Sequence, residues 1–368
     1  MIDAPEGSAV DSFLSLVHLQ HLDVLSMKFD VNHGFQENSF GGFSAATLPR
    51  MQVLTYLTGW LSVENLQQLG QLTRLQQLSI AVPIRMLSQH NMAIGPSSVP
   101  RLVFPTSLTY LGIGSRAEAG MLSLVPTGLR DSITVWLDEV AEGLAEGPGS
   151  LLSCMSRLQH LTQLSLKCSG SLNWPPASWA YSALTASSHL VEVGLYDFRP
   201  PQGVWPHVFP AGRKQPHLTC LSLSHLGGDE VDMALRGATD LSSLVSCCPN
   251  MGDLTGITLQ YGSHVSELQQ LAALTKLHAH YPSNDWFAFE TSLEGLATVK
   301  QLRFLRISMS RGNDDTDGLS FEPLTRLTAL TRIEFSNRLA VVPGGPVAIT
   351  RAELDVCYIA KVGSRSAQ

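Results

Sequence analysis

The feature that most constrains this chain is a spacing of leucines, L-x-x-L-x-L, usually preceded three residues earlier by another Leu. It reads LQHLDVLSM from Leu19, LTRLQQLSI from Leu72, LQHLTQLSL from Leu158, LTCLSL from Leu218, LAALTKLHA from Leu271, LRFLRI from Leu302 and LTALTRIEF from Leu327. Weaker copies are MQVLTY from Met51, LTYLGI from Leu108, LVEVGL from Leu190 and LTGITL from Leu254. Marking each copy at its last apolar residue gives Met27, Tyr56, Ile80, Ile113, Leu166, Leu195, Leu223, Leu259, Ala279, Ile307 and Phe335. Most steps lie in the range of a repeat of twenty to thirty-odd residues. The step from Ile113 to Leu166 is about twice as long and predicts one degenerate repeat within Met121–Gly147.

Side chains alternate along a strand, so each copy sends alternate residues to opposite faces. The inward set runs from Leu22, Leu25 and Met27 through Met51, Leu54 and Tyr56 to Leu330, Ile333 and Phe335. It is apolar throughout and mostly Leu. The residues between them, such as Ser26, Lys28, Ser165, Ser222 and Glu334, are mainly polar. A single unit of this size cannot bury its leucines. Stacked units bury them against one another, with their strands side by side in a parallel sheet.

The pattern resembles the leucine-rich repeat family over roughly residues 19–338. That resemblance implies an α/β solenoid: a curved horseshoe with a parallel sheet on the concave face and short helices and loops on the convex face. About 11–12 repeats are expected, between an N-terminal cap segment at residues 1–18 and a C-terminal cap and tail at 339–368. Within the caps, Asp11–Val17 is placed over the first repeat, and Ala348–Ala360 is placed to add a last strand. Insertions are expected near 83–105, 116–157 and 198–216. Ser292–Gln301 suits a short convex-face helix, with Thr291 and Glu294 at capping-box spacing marking its start. The chain departs from the family three residues after the last inward position, where Asn or Cys usually bonds the turn backbone. No asparagine ladder is present there, so the turns must satisfy their polar groups otherwise.

Composition narrows the work. The formal net charge is −7, with 24 basic and 31 acidic residues, which argues against nucleic-acid binding. Met1–Ser12 lacks the basic and apolar regions of a signal peptide, and no apolar run is long enough to cross a membrane. The six cysteines, none in a C-x-x-C pair, then read as reduced thiols of a cytoplasmic protein. No cofactor motif and no G-x-S-x-G, H-E-x-x-H or P-loop occurs, so a non-enzyme is expected.

Several residues invite chemistry. Asn313, Asp315, Asp317 and Gly318 match the first half of a calcium loop, but the twelfth position is Leu324, and a solvated acidic turn is the expectation. His278 and His280 face outward on one strand without an obvious third ligand, so no metal is expected. All six tryptophans are placed off the repeat strands, with Trp205, in a Pro-rich loop, as a partner contact.

The outward row is more informative. The last three repeats gather Lys276, His278, His280, Phe304, Arg306, Arg332 and Glu334, with a formal sum of +2 when the histidines are neutral. A polar end kept for solubility is one account of this cluster. A partner-binding patch for an acidic or phosphorylated segment is the other. The expected function is a monomeric, non-catalytic protein-binding scaffold. Resemblance to green-algal repeats places it in the cytoplasm, cytoskeleton or ciliary axoneme. The alternatives are a substrate receptor of an F-box-type ubiquitin ligase and a small-GTPase regulator.

Overall fold

In the computed structural model, residues 24–26, 53–60, 68–81, 104–114, 125–137, 148–168, 177–196, 203–224, 241–258, 265, 267–281, 286–309, 322–337 and 347–350 are described. The chain forms two compact units, Met1–Pro175 and Pro176–Gln368. The first holds strands β1 (Val24–Ser26), β2 (Tyr56–Trp60), β3 (Gln77–Ala81), β4 (Tyr110–Gly114), β5 (Ser132–Leu137) and β6 (Gln163–Cys168), all parallel and in chain order. Its α-helix, α1, spans Pro148–Arg157. The second holds β7 (Glu192–Tyr196), β8 (Cys220–Ser224), β9 (Asp253–Thr258), β10 (Lys276–Tyr281), β11 (Phe304–Met309) and β12 (Arg332–Asn337), again parallel and in order. Strand β13 (Val347–Thr350) then pairs antiparallel with β12. Each unit is thus a stretch of leucine-rich repeat solenoid. The added last strand begins within a residue of where the sequence placed it, and the rest of Ala348–Ala360 lies outside the described residues.

One face of each sheet is covered and carries the leucines. Leu75, Leu78 and Ile80, then Leu161, Leu164 and Leu166, then Leu274, Leu277 and Ala279, are all buried. Each fully buried Leu contributes roughly 1.5–3 kcal/mol by leaving water. The connections between strands form the covering layer. Helix α2 (Trp205–Val208) packs on the 3-10 helix Ser178–Thr185 and on α3 (Leu241–Cys247). Helix α4 (Trp286–Leu296) packs on the 3-10 helix Glu322–Arg326.

At the start of β4, β6, β8, β10 and β12 a threonine adds a side-chain hydrogen bond to the backbone bonds. Two successive N–H groups of one repeat donate to a single carbonyl of the repeat before, as Thr275 and Lys276 do to Gly252 O. The threonine hydroxyl donates to the same oxygen. This holds for Thr109 on Gln76 O, Thr162 on Asp131 O, Thr219 on Val191 O, Thr275 on Gly252 O and Thr331 on Arg303 O. The Leu-Thr dipeptide therefore ties these five repeats to their predecessors.

The structure corrects the register of two repeats. In β2, Leu57 pairs with Leu78 and Gly59 with Ile80. Leu54 and Leu57 are buried and Tyr56 is not, so the inward set is Leu54, Leu57 and Gly59 rather than Met51, Leu54 and Tyr56. In β9, Leu254 pairs with Leu277 and Thr255 with His278, but Ala279 then pairs with Ile257. Gly256 is the extra residue of a bulge and adopts φ +81°, the left-handed region that glycine enters without a Cβ clash. The inward set here is Met251, Leu254 and Ile257, all buried, instead of Leu254, Ile257 and Leu259.

Within the stretch 116–157, Ile133 and Val135 of β5 lie between Leu111 and Ile113 on one side and Leu164 and Leu166 on the other. The stretch therefore contains the degenerate repeat that the long step predicted. Of the stretch 198–216, residues 203–216 are described and carry α2. Most of 83–105, the calcium-loop-like turn at Asn313–Gly318 and the segment Asp11–Val17 lie outside the described residues. Helix α4 starts at Trp286, so Thr291 and Glu294 sit inside it rather than at its cap. The apolar run WFAF continues the helix N-terminally past that spacing. Among the described residues, no helix is long and apolar enough to cross a membrane.

Candidate functional site

The open face of the second unit is built from the residues that alternate with its buried ones. Register fixes three rows across the strands, which lie about 4.8 Å apart. The first row runs Glu192, Cys220, Asp253, Lys276, Phe304, Arg332. The second runs Gly194, Ser222, Thr255, His278, Arg306, Glu334. Past the bulge, the third runs Thr258, His280, Ser308, Ser336.

All seven residues singled out from the sequence come together at one end of this face. Glu334 is their hub. Its side chain is only 8% exposed, and both its oxygens face cations. Arg332 Nη2 bonds Oε1, and Arg306 Nη1 stands 3.8 Å from Oε2. The Arg332 guanidinium also lies 5.7 Å over the Phe304 ring, a cation–π arrangement that fixes its plane. Arg306 is less well supplied, because its Nε is buried without a hydrogen-bond acceptor. Lys276 Nζ donates to Asp253 Oδ2 at 2.6 Å.

Asp253 belongs to the cluster, and the bulge at Gly256 hides it in the sequence, because an unbulged register puts Asp253 off the outward row. A glycine inside a strand pattern was the available signal. Counting Lys276, Arg306 and Arg332 against Asp253 and Glu334, the formal sum is +1 rather than +2 with neutral histidines. The histidines are also less exposed than expected, His278 half-buried and His280 buried.

Trp205 is no partner contact. It is buried in α2, with its ring stacked at 6.1 Å on Phe209. Trp60 and Trp136 lie within β2 and β5, not off the strands. Trp179, by contrast, is 72% accessible in the 3-10 helix Ser178–Thr185.

Cys220 is half-buried on the same open face. Burial, then the carboxylates of Asp253 and Glu192 on either side, push its thiol up to about 11, with Lys276 opposing them. A thiol held protonated in this way is a poor nucleophile at neutral pH. Among the described residues, no group of three His, Cys, Asp or Glu side chains has the arrangement to hold a metal ion.

No protein-family model and no curated protein matches the chain. Among solved structures, it is similar to an internalin from Listeria monocytogenes, at 14% identity and a TM-score of 0.42, over 81% of this chain and 71% of that one.

Proposed function

We propose that this protein is a non-catalytic protein-binding scaffold, and that its partner docks on the open face of the second unit over Lys276, His278, His280, Phe304, Arg306, Arg332 and Glu334. One observation carries this reading: two guanidinium groups converge on the buried carboxylate of Glu334, beside an aromatic ring, on a face otherwise rich in Ser, Thr and Gly. A polar end kept only for solubility has no need of side chains oriented by a shared buried ion. Arg and aromatic residues are the types enriched at interface centres. The chain is taken to act as a monomer. The resemblance to green-algal repeats favours a cytoplasmic partner of the cytoskeleton or axoneme over a ubiquitin-ligase subunit or a GTPase.

The test is affinity capture with the full chain as bait, beside a variant carrying Ser222→Trp and Thr255→Trp. Both positions face outward in the middle of the second row, where a large side chain obstructs docking without entering the core. Loss of the captured partner is expected. Unchanged capture by a folded variant refutes docking on this face.

A further inference from the structure

We infer that the patch recognises a single phosphorylated side chain within an otherwise neutral segment of a partner protein, seated against Arg306 and Arg332. This rests on the docking reading above and narrows it. Charge placement excludes the alternative of a run of acidic residues. The cluster, with Asp253 included, carries only one net positive charge, and Glu192 adds a further carboxylate along the first row. A string of carboxylates lying across the strands would meet these two like charges. A phosphate monoester instead concentrates about −1.5 to −2 charge and three acceptor oxygens on one small group.

The donors fit that group. Arg332 keeps 59% of its side chain exposed while Glu334 and the Phe304 ring hold its guanidinium in place. Arg306 Nη1 stands 3.8 Å from Glu334, beyond hydrogen-bond reach, and 36% of the side chain is exposed, so its terminal N–H groups are open to a phosphate while its Nε is buried. Planar guanidinium groups bind phosphate through paired N–H donors, and a fixed plane lowers the entropy lost on binding. Glu334 acts as the positioning residue. The strands beyond offer Thr255, Ser222 and Gly194 in the same row, which suits neutral flanking residues.

The experiment uses the immobilised full chain and three pools of short fluorescent peptides with neutral, degenerate flanks. Their centres are phosphoserine, serine, or three consecutive glutamates. The phosphoserine pool should be retained about tenfold better than either other pool, and the gain should shrink in high salt. Arg332→Gln, at an exposed position where folding is least at risk, should remove most of the gain. Arg306→Gln with Arg332→Gln should remove all of it. Equal retention of the phosphoserine and serine pools overturns the proposal. So does a glutamate pool that binds as well, an Arg332→Gln variant that binds unchanged, or capture of lipid vesicles bearing phosphoinositide headgroups by the same immobilised chain when no peptide pool is retained.

Phosphatase treatment of the lysate before capture separates the two levels of argument. If the partner survives phosphatase but is lost with the Ser222→Trp and Thr255→Trp variant, the phosphoryl inference fails and the docking reading stands. If neither treatment removes it, the docking reading fails as well.

Discussion

Gly256 is the extra residue where β9 bulges against β10, and its φ of +81° gives a sharp test of the bulge. Replacing it with Ala forces a Cβ into the left-handed region, which costs about 1–2 kcal/mol. The more restricted unfolded chain returns about 0.4–1 kcal/mol of that. Gly256→Ala should therefore destabilise the second unit by about 1 kcal/mol, and Gly256→Val by more, because a β-branched residue at positive φ is a genuine outlier. Deleting Gly256 should behave differently. Without the extra residue, Leu254, Thr255 and Ile257 alternate in, out, in, matching Leu277, His278 and Ala279 on β10. The deletion should thus stay close to wild type, within about 1 kcal/mol, since it removes a residue whose ordering itself costs about 1–2 kcal/mol. Urea unfolding followed by circular dichroism reads these values. With a slope near 2 kcal/mol/M, the Ala variant's midpoint should fall by about 0.5 M. If Ala is as stable as Gly, or if the deletion is worse than Val, the account of the bulge is wrong.

Other outcomes follow from burial and charge. Leu164→Asp places a carboxylate among stacked leucines and should lower stability by several kcal/mol. Gln163→Asp, one residue earlier and exposed, should stay within about 0.5 kcal/mol, and equal melting of the two variants would contradict the register. Trp205→Ala should cost about 3–5 kcal/mol in thermal or urea melts, because the ring is buried on Phe209. Trp179→Ala should be neutral within about 0.5 kcal/mol, since that ring is exposed. Iodoacetamide should label Cys220 slowly at neutral pH, with a rate that climbs as pH rises toward about 11. Burial and two carboxylates oppose the thiolate, so Asp253→Asn with Glu192→Gln should move that climb to lower pH. Mass spectrometry of the labelled peptide checks this, and rapid labelling below pH 9 would contradict it.

Leucine spacing alone determined the parallel strand order, the buried face of most repeats and the clustering of seven polar and aromatic residues at one end of the open face. It did so because burying a leucine row requires both strand alternation and a stacked neighbour, and both leave a period in the chain. It also exposed the hidden repeat at Ile133 and Val135, through a step too long for one unit. Tertiary structure decided what a period cannot carry. In β9 the apolar letters of LTGITL fit two registers, and only pairing with Leu277 and Ala279 selects the one with a bulge. That choice brought Asp253 onto the face and changed the charge of the cluster. In β2 likewise, Leu57 and Tyr56 are both apolar, and only the pairing with Leu78 shows which one points inward. Trp205 read as exposed because prolines surround it, yet the folded return segment presses its ring onto Phe209. Glu334 looked like one charge among several. Its burial between two arginines arises from strands whose positions in sequence are about one repeat apart, and only the folded sheet sets the distance between them.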